Sequence, residues 1–448
     1  MVVRDIEAQL LHCTKSMESS ISATGLRMLR PGFGQAVVPA KGSVLASPEY
    51  AHWDPQPDYF FHWLRDSALV MDAVTLLSAQ ATTTEERQKW NRHFQDFVRF
   101  SLKISQLDGQ TYKANDRRKV ADEFQQFLRS QPELAALQGV NTSLSDVRVN
   151  ANGKVDFMKW SRPQYDGPAL RALACLRHAD VAEAQGRSVS KLLAQLILQD
   201  LNYTMKHADA ACSGIWEEGI DKHYYSSIVQ AGALFNGAVW AMKLGDEALS
   251  ESYRLKTKMI VGELGSHWDD KNRLYKGSRH KASADVEELL DISVILGVLH
   301  ARLPEGRHHV HDQGVADTLK KIEQMFERLY PINANRPDGV GVALGRYKND
   351  MFPEMDGAGG PWFIATLAAA EFYYKTQQID AGDAAMKMVL RVVPEGGSLS
   401  EQFDKVSGAP RSARQLTWSN AAFVTAALAR RQSLIPIHSP QYTSQKLG

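Results

Sequence analysis

Apolar residues recur at every third or fourth position through most of this chain, and almost no segment alternates apolar with polar residues. This spacing is typical of helices that bury one face. It predicts about twelve long helices, at 5–20, 67–80, 85–106, 169–183, 188–207, 224–243, 247–268, 286–302, 315–329, 361–376, 381–392 and 416–431. A shorter helix is predicted at 118–131, within the long excursion 107–167, and the chain as a whole is predicted to be all-α.

Every second long helix follows a loop that is rich in Trp, Arg or acidic residues. These six helices begin near Asp66, Pro168, Tyr224, Val286, Pro361 and Leu416. The alternation predicts an (α/α)6 barrel, in which six inner helices point their N-termini at one end. A site would then form at that end, where backbone N–H groups lack helical partners. No linker divides the sequence, so we predict a single catalytic domain over residues 1–448, with a loose C-terminal tail at 433–448.

Composition narrows the possible functions of the chain. The 448 residues are 44% hydrophobic and 23% charged, as in ordinary soluble proteins. A formal net charge of +1 disfavours nucleic acid as a partner. No run of about 18 apolar residues is present, so no membrane span is expected. The three cysteines are far apart and the histidines form no metal-binding pattern, so neither a metal nor a cofactor is expected.

The N-terminal residues lack the basic and apolar regions of a secretory signal. The protein is therefore expected to be cytoplasmic if Met1 is the native start, and secreted if a signal peptide has been removed. A monomer is expected.

Two acidic stretches, Trp216–Glu218 and Glu401–Asp404, stand out as candidate chemistry. Hydrolysis of a glycosidic bond needs an acid for the leaving oxygen, and either a base that activates water or a nucleophile. We predict Glu217 as the acid, because a neighbouring carboxylate and a Trp would raise its pKa. We predict Glu401 as the base, which must be ionised to accept a proton. Taken alone, the pair Glu217-Glu218 is also explained by interaction with a helix dipole.

Other residues in these loops could bind a sugar. Arginine and aspartate side chains can form charge-assisted hydrogen bonds to hydroxyl groups, although structural ion pairing would explain them too. Indole rings offer flat apolar faces to a pyranose, although single tryptophans are more often core residues. The candidates are Arg65, Asp66, Arg346 and Asp350 with Trp63, Trp160, Trp216, Trp362 and Trp418.

The motifs, taken together and in chain order, resemble the glucoamylase family of inverting enzymes, glycoside hydrolase family 15. The resemblance rests on segments 46–48, 57–67, 160–171, 216–218, 345–347, 361–371, 401–404 and 412–419. It implies an (α/α)6 barrel, with Glu217 as general acid and Glu401 as general base. It further implies that Tyr59 and Ser412 orient the base and its water, that Arg65 and Asp66 hold the terminal glucose, that Trp160 packs near the acid, and that Glu218 and Arg346 contact the next sugar.

The sequence departs from the family pattern in some places. Residues 219–236 lack the Gln-His-Arg pattern of many fungal members, His62-Trp63-Leu64 replaces more polar neighbours, and 107–153 has no clear counterpart. No segment of the given sequence is expected to form a starch-binding module, a Ser/Thr-rich linker or an N-terminal β-sandwich. These departures concern the outer subsites, so we expect soluble oligosaccharides to be better substrates than granular starch.

The predicted function is an inverting, exo-acting α-glucosidase that releases β-glucose from non-reducing ends of α-1,4 maltooligosaccharides or starch. One alternative keeps the family but changes the bond, to α-1,6 isomalto-oligosaccharides or trehalose. A second alternative is a non-catalytic barrel that binds sugar in a regulatory role. A purely structural helical scaffold would leave the clustered Trp and carboxylate loops unexplained.

Overall fold

The computed structural model describes residues 2–49, 58–112, 114–352 and 359–435. Helices form most of the regular structure in this part of the chain. They are α1 (Val2–Ser19), α2 (Leu64–Gln80), α3 (Thr84–Ile104), α4 (Ala114–Arg117), α5 (Gln131–Ala135), α6 (Asp166–Ala184), α7 (Lys191–His207), α8 (Tyr224–Lys243), α9 (Glu247–Leu264), α10 (Ser293–Ala301), α11 (Gln313–Leu329), α12 (Pro331–Ala334), α13 (Phe363–Lys375), α14 (Ile379–Arg391) and α15 (Thr417–Ser433).

Six of the long helices form a closed inner ring. Helices α2, α6, α8, α10, α13 and α15 pack against one another in this order, and α15 returns to α2. They are the six helices that follow the polar loops, so the predicted (α/α)6 barrel is confirmed. Small residues allow close approach within the ring: a Cβ added to Gly232 of α8 would lie 2.2 Å from the carbonyl oxygen of Ala301 at the end of α10.

The outer layer consists of α1, α3, α7, α9, α11 and α14. An outer helix buries one face only. In α11 the buried apolar side chains fall at the spacing of a single stripe, with Val315, Leu319, Ile322, Met325 and Phe326. An inner helix is buried on nearly every side, as in α13, because it contacts the ring and the outer layer at once.

Short antiparallel strand pairs lie among the loops at one end of the barrel. The strand pairs are β1 (Met28–Arg30) with β2 (Gln35–Val37), β3 (Phe61–Trp63) with β4 (Arg148–Asn150), β5 (Trp268–Asp269) with β6 (Leu274–Tyr275), and β7 (Gln402–Phe403) with β8 (Pro410–Arg411). Two of these pairs shape the site. The β3–β4 pair places Trp63 opposite Arg148, and the β7–β8 pair lies beside Glu401 and Ser412.

Two predicted helices are wrong in part. The helix predicted at 286–302 is a 3-10 turn at Val286–Leu289, followed by α10 from Ser293. The break lies at Asp291, whose carboxylate accepts a hydrogen bond from the backbone N–H of Ser293 at 2.8 Å. The helix predicted at 118–131 is replaced by a 3-10 segment at Asp122–Phe127 and the short helix α5.

One main hydrophobic cluster contains side chains from all twelve long helices. A smaller cluster around Phe61 and Phe157 lies under the excursion between α3 and α6. The single domain over 1–448 stays a prediction. Of the predicted tail, Ser433 belongs to α15 and residues 434 and 435 are described. Residues 436–448 lie outside the described part.

Candidate active site

The loops at the N-terminal ends of the inner helices surround a cavity of about 540 Å³. Twelve of the fourteen residues predicted for the site line this cavity: Tyr59, Trp63, Arg65, Asp66, Trp160, Trp216, Glu217, Glu218, Arg346, Trp362, Glu401 and Trp418. The other two lie behind its wall. Asp350 binds Arg346, and the Ser412 hydroxyl donates to Glu401.

Glu217 is presented to the cavity by a tight turn. Its backbone N–H donates to the Gly214 carbonyl at 3.3 Å, and its own φ is +62°. A non-glycine residue in this left-handed region costs roughly 1–2 kcal/mol. The Ser161 hydroxyl donates to the Glu217 carbonyl and helps to hold the turn. Gly214 is required here, since a Cβ at this position would lie 2.6 Å from the His223 ring.

Three donors contact the Glu217 carboxylate. Arg65 Nη2 lies 2.7 Å from Oε1, and the Trp63 indole nitrogen lies 3.0 Å from the same oxygen. The Trp160 indole donates to Oε2. Hydrogen bonds and a nearby cation of this kind stabilise the charged form of a carboxylate.

Arg65 is itself fixed from behind. One of its guanidinium nitrogens donates to Gln164 and to Asp166, each at 3.0 Å, and the side chain is almost entirely buried. Asp66 lies beside it, and burial raises the pKa of Asp66 to about 6. Asp66 Oδ2 lies 3.6 Å from Arg65 Nε and is buried without a hydrogen-bond partner among the described residues. A buried acceptor that makes no hydrogen bond is costly, and a ligand donor would reduce that cost.

Glu401 lies on the opposite loop and is 5% exposed. Burial raises its pKa to about 7, while hydrogen bonds from Ser412 and Tyr59 and the charge of Arg346 act in the opposite direction. The loop is held by the bond from the Glu401 N–H to the Ala413 carbonyl at 2.8 Å, and Ser412 has a φ of +57°. Glu401 was expected to be ionised, but its burial makes this incomplete near neutral pH.

Arg346 anchors the outer part of the wall. Its guanidinium binds the Asp350 carboxylate and lies 3.0 Å from Glu218. The Tyr347 hydroxyl is 2.6 Å from both Glu218 oxygens. Aromatic rings surround the same guanidinium, with centroids at 5.3 Å (Trp216), 5.0 Å (Trp362) and 5.5 Å (Phe352). Charge and cation–π contacts together hold this part of the wall.

The remaining indoles complete the lining. Trp160 is 37% exposed at the mouth and packs edge-on against Trp63 at 5.7 Å. The Arg148 guanidinium lies 3.8 Å from the Trp160 ring centroid and supports it from below. Trp418 is buried, as is Trp362, whose indole N–H has no hydrogen-bond partner among the residues that the structure describes.

Several residues of the site were not predicted. The lining also includes Ala46, Lys159, Ser161, Ile215, Phe352 and Leu416. Arg148 and Asp291 act from behind the wall, through contacts with indole rings. Periodicity and motif spacing carry no signal for such contacts, because each joins segments that are distant in the sequence. Within the described ranges, no group of three or more His, Cys, Asp or Glu side chains is placed to hold a metal ion.

Two carboxyl groups on facing loops of a helical barrel, with indoles around them, are the arrangement of a glycoside hydrolase. The sequence profile described as Glycosyl hydrolases family 15 matches residues 29–393 and 380–428. Because this match extends over most of the sequence, the chain belongs to glycosyl hydrolase family 15.

Relatives of known description are similar over most of the chain. The glucoamylase of Blastobotrys adeninivorans is 25% identical over 456 residues, which cover 88% of this chain and 68% of that protein. The probable glucoamylase of Schizosaccharomyces pombe is 26% identical over 433 residues, covering 88% of this chain and 85% of that protein.

Solved structures agree on the fold. A family 15 glucoamylase from Hypocrea jecorina superposes with a TM-score of 0.78 at 22% identity, covering 99% of this chain and 75% of that one. The glucoamylase of Saccharomycopsis fibuligera gives 0.74 at 19% identity, covering 94% and 95%. In the part of the chain that the structure describes, no helix is both long and apolar enough to cross a membrane.

Proposed function

We propose that this chain is an inverting, exo-acting glucan α-glucosidase, which releases β-glucose from the non-reducing ends of α-1,4-linked maltooligosaccharides. The observation that carries the proposal is the placement of Glu217 and Glu401. They come from loops far apart in the sequence, yet both line one cavity together with five indole rings. The glucoamylase relatives support the same activity.

A gradient of burial across the cavity supports exo action. Arg65, Asp66 and Glu401 are 4%, 8% and 5% exposed, whereas the Glu218 side chain is 50% exposed. The deep part therefore suits a chain end, with Arg65 and Asp66 binding hydroxyl groups of the terminal glucose. The outer part, where Glu218 is exposed, suits the next sugar; Arg346 is itself only 3% exposed and reaches this part through its contact with Glu218.

In the proposed mechanism, Glu217 protonates the leaving glycosidic oxygen. Its carboxylate contacts Arg65 and two indole N–H groups in the free protein. These donors orient the carboxyl group. They also stabilise the carboxylate anion that remains on Glu217 after the proton has moved. Donors that stabilise the product of proton transfer also lower the barrier to it.

Glu401 acts as the base in this proposal. It takes a proton from a water molecule as that water attacks the anomeric carbon from the opposite face. Ser412 and Tyr59 hydrogen-bond to the carboxylate and orient it. An inverting reaction requires carboxyl groups roughly 6.5–9.5 Å apart, which leaves room for the water.

The test is the anomer that the purified protein releases. The protein is mixed with maltotriose, isomaltotriose or trehalose, and the products are followed by NMR within the first minutes, before mutarotation. The proposal predicts β-glucose and maltose from maltotriose, with slower release from the other two sugars. Release of α-glucose would refute inversion, and preference for isomaltotriose or trehalose would favour the alternative linkage. Absence of any product with retained binding would favour a non-catalytic sugar-binding barrel.

A further inference from the structure

Asp291 holds the indole of Trp216, the residue directly before the proposed acid. The Trp216 indole nitrogen lies 3.0 Å from Asp291 Oδ1 and 3.2 Å from Oδ2. Trp216 lines the main cavity, whereas Asp291 lies behind it and lines a smaller neighbouring cavity of about 120 Å³. The Asp291 carboxylate is therefore connected to the main cavity through the Trp216 side chain.

The position of the Asp291 carboxylate is itself fixed by packing. A Cβ added to Gly277 would lie 2.6 Å from Asp291 Cβ and 2.7 Å from its Oδ2, so the glycine leaves the space that this side chain occupies. Gly277 is held in turn, since its carbonyl accepts the N–H of Tyr224 at 2.9 Å, at the start of α8. The carboxylate is thus held in place before any sugar binds.

The same residue joins two loops of the cavity wall. The backbone of Asp291 pairs with Tyr347 in an antiparallel bridge, and the next N–H, of Ile292, donates to the Arg346 carbonyl at 3.0 Å. The Trp216 ring lies 5.3 Å from the Arg346 guanidinium and 5.7 Å from the Trp362 ring. Asp291 therefore contacts the Trp216 indole through its carboxylate and the loop that carries Arg346 through its backbone.

We propose that Asp291 is a positioning residue for binding of the second sugar: it fixes the Trp216 indole and the Arg346 loop against each other. This inference rests on the proposed function, because it assumes that an oligosaccharide extends from the deep part of the cavity past Trp216. The terminal glucose would bind deeper, at Arg65 and Asp66, and would not depend on Asp291.

The substitution Asp291→Asn tests this role. Asparagine keeps the size of the side chain but places an N–H₂ group where one oxygen accepts the indole N–H. The KM for maltotriose is expected to rise about tenfold, while kcat changes by less than about threefold. Inhibition by 1-deoxynojirimycin, which has the size of one sugar, is expected to stay within about twofold of the original.

A matched control is Asp312→Asn. Asp312 also accepts a backbone N–H at a helix start, that of Gly314 at 2.8 Å, and an aromatic donor, the Tyr275 hydroxyl at 2.9 Å. It lies away from the cavity lining. The control is expected to lower thermal stability as Asp291→Asn does, but to leave the KM for maltotriose unchanged.

A double-mutant cycle with Trp216→Phe separates positioning from general damage, since Phe retains a ring without the N–H. If Asp291 acts through the indole, Asp291→Asn adds little to the KM increase that Trp216→Phe causes by itself. If Asp291→Asn does not fold, Trp216→Phe carries the test, and is expected to raise KM more than it lowers kcat.

The inference is overturned if KM is unchanged in Asp291→Asn, if Asp312→Asn raises it equally, or if the two effects in the cycle simply add. The Kd of maltotriose, measured by calorimetry in the same proteins, keeps this inference distinct from the proposed function. A wild-type protein that binds maltotriose but releases no glucose refutes the function, while the Kd values still report on Asp291.

Discussion

The loops that carry Glu217 and Glu401 hold their carboxyl groups in opposite ways. Glu217 is partly exposed and contacts a guanidinium and two indole N–H groups. Glu401 is buried and its hydrogen bonds come from hydroxyl groups, those of Ser412 and Tyr59. The Glu217 carboxyl group therefore has a cation as a neighbour, whereas burial raises the pKa of Glu401.

In the mechanism proposed above, the two loops have different tasks. The Glu217 side must release a proton and then accommodate the anion, and Arg65 is already in place for that state. The Glu401 side must lose its proton before it can take one from water. A sequence pattern with two glutamates does not distinguish these tasks, because the difference comes from neighbours on other loops.

The largest effect is expected from Glu401→Gln. The amide keeps the shape of the side chain but cannot accept a proton from water, and a positioned acid or base contributes about 10²–10⁴-fold. The value of kcat on maltotriose should fall by that range, while KM stays within about threefold. Steady-state kinetics, with chemically denatured protein as the blank, measure kcat and KM. An unchanged kcat would show that Glu401 is not the base.

The second largest loss of activity is expected from Arg65→Gln. It removes the cation at Glu217 and leaves Asp166 without its ion pair. A hydrogen bond to a charged group contributes about 1.5–3 kcal/mol, which corresponds to a loss of about ten- to a hundredfold in kcat/KM. The buried partners also make the variant less stable, so melting temperature is measured alongside activity. Full activity in a folded variant would contradict the charge-based account of the Glu217 side.

The pH profile tests the Glu401 side. The base works in its ionised form, and burial raises its pKa to about 7. The kcat/KM value should therefore fall as pH decreases through about 7, because protonation removes the base in the free protein. In Ser412→Ala, which lacks a hydrogen bond that lowers this pKa, the same limb should move to higher pH. A limb that moves to lower pH would contradict the assignment.

The smallest effect is expected from Trp160→Phe. This change removes one indole donor from Glu217 but keeps Arg65 and Trp63. A hydrogen bond to a charged group contributes about 1.5–3 kcal/mol, but two donors to the same carboxylate remain, so kcat/KM should fall by about tenfold at most. The acidic limb assigned to Glu401 should not move. Trp240→Phe, at a buried position outside the cavity lining, serves as the matched control for loss of an indole.

Much of the fold could be predicted because helices leave a local signal. The alternation of helices with and without polar loops was enough to identify the inner ring, and the structural relatives agree with it. The break before Ser293 was missed although its cause is local: the Asp291 carboxylate accepts the Ser293 N–H, and aspartate is a residue type that often precedes a helix. The structure of the excursion before Asp166 was also difficult to predict, because its short turns and helices have no regular spacing of apolar residues.

The candidate site shows the same division. Residues within motifs, such as Arg65 and Glu401, could be proposed from the sequence. Arg148 could not, since its role is to lie 3.8 Å from the ring of Trp160, and motif spacing does not indicate such a contact. The raised pKa of Glu401 was also not expected, because burial is a property of the closed barrel and not of the local sequence.

The division of roles between the two carboxyl groups is tested most directly with α-glucosyl fluoride. Fluoride leaves without protonation, so this substrate needs a base but no acid. We predict that Glu217→Gln, although nearly inactive on maltotriose, hydrolyses α-glucosyl fluoride within about tenfold of the unmodified protein, while Glu401→Gln stays inactive on both. The reverse pattern, in which Glu401→Gln hydrolyses α-glucosyl fluoride and Glu217→Gln does not, would contradict the account.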